Sequence, residues 1–250
     1  AGVGIGVPGP VEETGEIPCA VNLHWGRKNI EKELGDLTGL AVKAGNDANV
    51  AALGEMWKGG GQGAKNLILV TLGTGVGGGI IVNEKIVTGA HGAGGEIGHA
   101  FVNPAETKAC NCGNKGCLEQ YASATGIARL AKEALESETE DSVLRTVKNI
   151  SAKSVFDAYK EGDALAGKIV DKFAAYLGNA LAVFACVSDP DVFVIGGGVS
   201  KAGQVLIDAV EKYYKAHAFT ASKETPIKLA TLGNDAGIYG AAKLILSKDN

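Results

Sequence analysis

The chain of 250 residues is 46% hydrophobic, contains 37 glycines, and carries a net charge of −4 from 24 Lys and Arg against 28 Asp and Glu. Such a length buries a substantial core and accommodates two lobes, while the charge balance, with no basic stripe, argues against nucleic acid as a partner of this segment. No apolar run approaches the ~20 residues needed to cross a bilayer, so no membrane partner is expected either.

In chain order, Val3 to Val7 reads as a strand that opens without a turn or cap before it. The sequence therefore reads as part of a longer chain whose N-terminal portion lies upstream. A short helix follows at 29–35, then a strand in LAVKAGND and a helix in ANVAALGEMWK. GGGQGAK is a flexible joint between two lobes, and residues 66–87 form two strands around a glycine turn. The stretch GAHGAGGEIGHAFVNP and the cysteine segment after it are irregular. From Gln120 the pattern is helical through the 130s, and helices fill most of 142–188. DPDVFVIGGG is a buried strand running into a glycine turn. SKAGQVLIDAVEKYYKAH is a helix with Ser200 as its N-cap. PIKLATLG is a strand, and DAGIYGAAKLILS is a final amphipathic helix. Strands alternating with helices indicate an α/β protein.

Three of the five cysteines fall within CNCGNKGC, at 110, 112 and 117, and cannot all pair with one another. In a cytosolic protein, thiols stay reduced. His99 stands eleven residues upstream, and one imidazole with three thiolates makes a closed tetrahedral set suited to Zn²⁺ with no position left for water. Ligation is favoured over three free thiols, and a closed set shapes a loop rather than performing chemistry. Gly113 and Gly116 supply the sharp turns. Cys186, in LAVFACVS, is expected to be a small buried side chain.

Carboxylates flank this set. Glu96 precedes His99 in GGEIGH and Glu119 follows Cys117; fixed beside an imidazole, they suit hydrogen bonding to a polyhydroxylated ligand such as a sugar. For Glu119, a favourable charge at a helix N-terminus explains the residue equally well. Asn46 and Asp47 sit where a strand ends and a helix begins. Asp47 reads first as an N-cap, but a carboxylate at the end of a strand can also take a proton from a substrate hydroxyl. Gly73, Gly75 and Gly78 match G-x-G-x-x-G, yet a strand rather than a helix follows, so dinucleotide binding is disfavoured. A glycine turn there still presents backbone N–H groups to phosphate, with the Thr74 hydroxyl beside them. The run Gly196–Gly198 passes from a strand into a helix and lets a nucleotide lie against the backbone.

Taken in order, PGPV, NLHW, GNDANVAALGE, LGTGVGGG, GGEIGH, CNCGNKGCLE and VIGGGVS resemble the ROK family of sugar kinases and sugar-responsive repressors, most closely its bacterial glucokinases. The resemblance implies an α/β, actin-like ATPase (ribonuclease H-like) fold with two lobes around a cleft, the first lobe incomplete. Residues 1–62 would be the remainder of the small lobe, 63–235 the large lobe with a zinc loop at 99–117, and 236–250 a helix packing back toward the small lobe. It implies phosphorylation of glucose at its 6-hydroxyl by ATP, with Asp47 as the base. Asn46, Asp47, Glu96, His99, Glu119, Gly9 and Asn22 would contact the sugar, and His99 would serve both the zinc and the sugar. Gly73, Thr74, Gly75, Gly197 and Gly198 would contact ATP, which arrives with Mg²⁺. A structural Zn²⁺ on His99, Cys110, Cys112 and Cys117, a cytoplasmic location and a homodimer complete the implication. An N-acetylmannosamine or N-acetylglucosamine kinase, or a sugar-sensing repressor, are the alternatives. The family's first phosphate loop, an aspartate followed by paired glycines and a threonine, has no counterpart here. The segment by itself is thus expected to bind sugar poorly and to turn over little.

Overall fold

The structure is a computed structural model and describes residues 2–20 and 23–247. Strand β1 (Gly2–Val7) lies parallel to β4 (Ala41–Asn46), with Val7 beside Asn46. Between them come a two-stranded ribbon of β2 (Glu16–Ile17) and β3 (Lys28–Asn29), and helix α1 (Ile30–Thr38). Asn29 starts α1 by accepting the Lys32 N–H, and Gly39 ends it in the left-handed conformation, so both caps are local to the sequence. Helix α2 (Asp47–Lys58) leaves directly from β4.

The second sheet has the order β7-β6-β5-β8-β9, built from β5 (Leu67–Leu72), β6 (Val76–Val82), β7 (Lys85–Ile86), β8 (Val192–Gly196) and β9 (Ile227–Leu229). β5, β8 and β9 are parallel, while β6 and β7 add antiparallel pairs. The apolar runs LILVTL and VFVIG are continuous because both faces of these strands are covered. Ile68, Val70, Leu72, Phe193 and Ile195 face the large core beneath α4 (Ala124–Ser137), α5 (Ala152–Lys160), α6 (Ala164–Ser188) and α7 (Gln204–His217). Leu67, Leu69, Val192 and Val194 alternate to the other face and meet Val50 and Leu53 of α2 and Leu244 of α8 (Ala236–Leu246). α8 lies so close to α2 that Gly240 rests on the Val50 carbonyl, where any side chain would collide.

Four sequence expectations are revised. The joint 59–65 is a tight turn rather than a flexible link. The buried carboxylate of Glu55 accepts the N–H groups of Gly60 (2.8 Å), Thr231 (3.1 Å) and Leu232 (2.9 Å), tying the joint to the turn before α8. Ser200 does not cap α7. It lies in a 3-10 turn, Val199–Ala202, with its hydroxyl donating to the Gly197 carbonyl, and α7 begins after Gly203. Cys186 is exposed, on the outer side of α6. Finally, α6 is a 25-residue helix whose best window has a mean hydropathy of 1.4, apolar enough to cross a membrane. Burial of 56% of that window, with Phe173, Leu177 and Leu181 inside the core, accounts for its composition.

Glu55→Gln keeps one acceptor oxygen but turns an amide NH₂ toward the N–H donor or donors held by the other, leaving at least one of the three unsatisfied. Chemical denaturation is expected to show a loss of about 2–4 kcal/mol relative to the wild type.

Candidate active site

Because β1 and β4 are parallel, the loop after β1 and the start of α2 emerge at the same end of their sheet, the carboxyl end where α/β folds place ligands. Asn46, not Asp47, is the N-cap of α2. Its Oδ1 accepts the N–H groups of Ala48 (3.0 Å) and Asn49 (3.2 Å), and its Nδ2 donates to the Gly9 carbonyl at 3.1 Å. With the cap supplied by its neighbour, Asp47 occupies the first helical position exposed, one carboxylate oxygen taking the Ala48 N–H at 2.8 Å. Gly9 thus belongs to the same corner through Asn46. Asn22 lies outside the described residues.

The loop before His99 closes onto this corner. Gly92 lies against Pro10 and Val11, and Gly95 against the side chain of Asn49 and the carbonyl of Gly78. Glu96 then opens a 3-10 turn, Ile97–His99. The imidazole has two faces: Nδ1 is 3.8 Å from Cys110 Sγ, and Nε2 is 4.0 Å from a Glu96 carboxylate oxygen.

His99, Cys110, Cys112 and Cys117 converge, with one donor atom of each within 4.8 Å of all the others. Cys112 and Cys117 sulfurs are 3.7 Å apart; sulfurs at tetrahedral Zn–S bonds of about 2.3 Å sit about 3.8 Å apart. The donor set and its spacing fit Zn²⁺. Gly113 and Gly116 both have positive φ, +89° and +76°, at the bends that return the chain. The thiols are poor neighbours for one another without a cation. Burial, then the adjacent thiols, push Cys117 up to about 12, and burial raises Cys110, whereas the Asn114 backbone N–H lowers Cys112. Holding all three as thiolates needs a compensating positive charge.

A second layer fixes the loop to the body. Gln120 Oε1 accepts the N–H groups of Gly116 (2.8 Å) and Cys117 (3.1 Å). Glu106, whose side chain is 7% exposed, pairs with Arg129 at 3.0 Å and accepts the Tyr121 hydroxyl at 2.6 Å. Burial alone would raise this carboxyl, but the Tyr121 hydroxyl, the Lys108 N–H and the Arg129 charge outweigh it and hold Glu106 at about 2. Tyr121 stacks on Tyr176 of α6 with ring centroids 3.9 Å apart. The sequence offered little signal for this network, because its members follow no periodic spacing, Tyr176 comes from the distant α6, and each alone looks like an ordinary surface residue.

Glu119 begins the short helix α3 (Glu119–Ala122) that follows β7, so its charge does stand at a helix start. Its carboxylate also reaches across to the β5–β6 turn, accepting the Val76 N–H at 3.0 Å, while the other oxygen lies 3.5 Å from Cys110 Sγ. A Cβ on Gly75 would overlap that carboxylate. The turn itself, Gly73–Gly75, leaves Thr74 exposed and is held by Ala124 N–H to the Gly73 carbonyl (2.8 Å) and the Thr125 hydroxyl to the Thr74 carbonyl (2.7 Å). Gly197, with φ of +83°, packs on the Leu72 backbone, where no side chain fits. Gly198 opens onto a cavity of about 340 Å³ formed with Ala124, Ser151, Phe156, Lys153 and Lys201. The sequence reading reached the glycines of this cavity but missed α5, whose lysines and phenylalanine look like an ordinary amphipathic helix.

The ROK family profile matches residues 1–248. A glucokinase of Halalkalibacterium halodurans is 46% identical over all of this chain and 77% of its own length. A xylose repressor of Caldicellulosiruptor bescii is 30% identical over 98% of this chain and 62% of its own. A ROK family glucokinase from Streptomyces griseus, solved with glucose and AMPPNP, superposes with a TM-score of 0.81 at 34% identity, covering all of this chain and 82% of that one. The actin-like ATPase fold of such kinases is the fold of this chain.

Two measurements follow. Cys117→Ser is expected to take the metal content from one zinc per chain toward zero by elemental analysis and to lower the melting temperature by on the order of 10 °C. Glu106 has a folded value below its unfolded one, so its contribution is complete above about pH 4.5 and withdrawn as pH falls toward 2. Acid titration of Glu106→Gln should therefore lack about 3 kcal/mol of the wild type's loss across that window.

Proposed function

The chain belongs to the ROK family, and from that premise we propose that it is an ATP-dependent hexose kinase that phosphorylates glucose at the 6-hydroxyl. The observation that carries the chemistry is the division of labour at the start of α2. Asn46 takes the capping hydrogen bonds, and the Asp47 carboxylate is left exposed at the carboxyl end of β4. A carboxylate so placed accepts the proton of the attacking hydroxyl, the step a kinase base performs.

In this reading Asn46, Glu96, His99 and Glu119, with Gly9, surround the sugar. His99 turns Nδ1 toward the cysteines, which leaves Nε2 and Glu96 together on its other side. Zn²⁺ held by His99, Cys110, Cys112 and Cys117 would fix that imidazole and the wall that carries Glu119. The turn Gly73–Gly75 with Thr74 receives the phosphates of ATP. The cavity beside Gly197 and Gly198 takes the nucleoside, with Lys153 and Lys201 at its edge. Mg²⁺ arrives with ATP and, when bound, neutralises charge on the transferring phosphoryl group. Residues 1–62 and 63–235 form the two lobes of this reading, with the segment from 236 returning to the first. A cytoplasmic location accords with reduced thiols. A homodimer accords with the exposed apolar side chains Phe101, Val183 and Val187.

A repressor would not need to keep the Asp47 corner and the turn at 73–75 together with the cavity beside Gly198, so the enzyme is the better reading.

In the full-length protein, Asp47→Asn is expected to lower kcat by 10²–10⁴-fold with sugar binding retained. Activity near wild type rules out Asp47 as the base. A panel of glucose, N-acetylglucosamine and N-acetylmannosamine under the same assay is expected to give the highest kcat/KM for glucose.

A further inference from the structure

The segment that follows the cysteine loop grips the phosphate-side turn at three points. Glu119 accepts the Val76 N–H at 3.0 Å, Ala124 donates its N–H to the Gly73 carbonyl at 2.8 Å, and the Thr125 hydroxyl donates to the Thr74 carbonyl at 2.7 Å. All three come from the seven residues 119–125, which begin two positions after the last cysteine of the cluster. Glu119 is the pivotal one, because its two oxygens point to different places. Oε2 sits on the hairpin, so close that Gly75 must lack a side chain, and Oε1 lies 3.5 Å from Cys110 Sγ, on the side of the proposed sugar wall.

We propose that Glu119 is a positioning residue that couples the two substrate sites, transmitting sugar occupancy at one carboxylate oxygen to the nucleotide turn through the other. The proposal rests on the kinase reading above and adds to it a thermodynamic link between sugar and ATP. A rigid carboxylate cannot move one oxygen without the other. A hydroxyl drawn to Oε1 therefore sets the position of Oε2 and, with it, the Val76 N–H and the turn from Gly73 to Val76. Linkage makes the effect reciprocal: nucleotide on the turn strengthens sugar binding by the factor by which sugar strengthens nucleotide binding. The short path, one side chain between two backbone segments, makes the coupling depend on few residues.

The test crosses the sites, measuring each substrate's affinity after a change on the other side. In the full-length protein, Gly75→Ala lies on the nucleotide turn and places a methyl group against Glu119 Oε2. It is expected to weaken glucose binding, measured by calorimetry without nucleotide, by at least fivefold. Glu119→Gln keeps a carbonyl for the Val76 N–H but loses the second equivalent oxygen. It is expected to raise KM for ATP at least fivefold and to bring the factor by which glucose lowers that KM to near one. Thr125→Val removes a hairpin contact outside the sugar wall and is expected to raise KM for ATP while glucose affinity without nucleotide stays within twofold. Circular dichroism and melting temperatures establish that each variant is folded; should Gly75→Ala fail to fold, the Glu119→Gln coupling factor decides. If a wild type that phosphorylates hexose gives Gly75→Ala with unchanged glucose affinity, or Glu119→Gln with wild-type coupling, the strut is wrong and the kinase reading stands. A wild type that phosphorylates no hexose overturns both.

Discussion

The convergence of one imidazole and three sulfurs is the constraint on which the rest of the site depends. Residues 99–117 contain no helix of more than one turn and no strand of the main sheets, so without a closure this stretch would have little to define its path. The backbone does part of the work: isolated bridges join Phe101 to Cys117 and Ala109 to Lys115, and Gln120 holds the N–H groups of Gly116 and Cys117. The four donors then meet at a spacing set by backbone geometry rather than by chance proximity, and the burial of Cys110 and Cys117 makes a bound cation the natural means of keeping three sulfurs ionised side by side. Glu106, Arg129, Tyr121 and Tyr176 extend the same anchoring into α4 and α6.

The loop matters because of what leaves it. Upstream it orients His99 and Glu96; downstream it runs directly into Glu119 and the residues that cradle the Gly73–Val76 turn. A single local closure thereby acts on a proposed sugar wall and a proposed phosphate turn together. The opposite side of the cleft is arranged by a different device. There Asn46 accepts two of the N–H groups of a helix start and clamps Gly9, while Asp47 gives one oxygen to the Ala48 N–H and remains exposed. Two polar residues in sequence thus share a helix N-terminus, one holding the cap and the other presenting the carboxylate proposed as the base.

Much of this was legible in the sequence where the signal was local. The glycine turn between two strands, the buried strand before Gly196, and the C-x-C-x4-C spacing with His99 upstream all translate into structure because each depends on residues close in sequence. The misreadings have the same physical origin. Whether Asn46 or Asp47 caps α2, and whether Ser200 begins α7, depends on where a backbone becomes helical to within a residue or two, which propensity does not resolve. Cys186 looked buried because α6 is apolar nearly all round, yet its position on the helix turns the thiol outward. The rigidity of the 59–65 joint comes from Glu55 reaching residues 231 and 232, a contact invisible at a separation of more than 170 positions. A separation of 43 positions likewise concealed the reach of Glu119 to Val76.

X-ray absorption at the zinc edge of the purified protein tests the closure itself. The account predicts a four-coordinate ion with three sulfur neighbours near 2.3 Å and one nitrogen near 2.0 Å. A spectrum dominated by oxygen and nitrogen scatterers, or one showing fewer than three sulfurs, would contradict it.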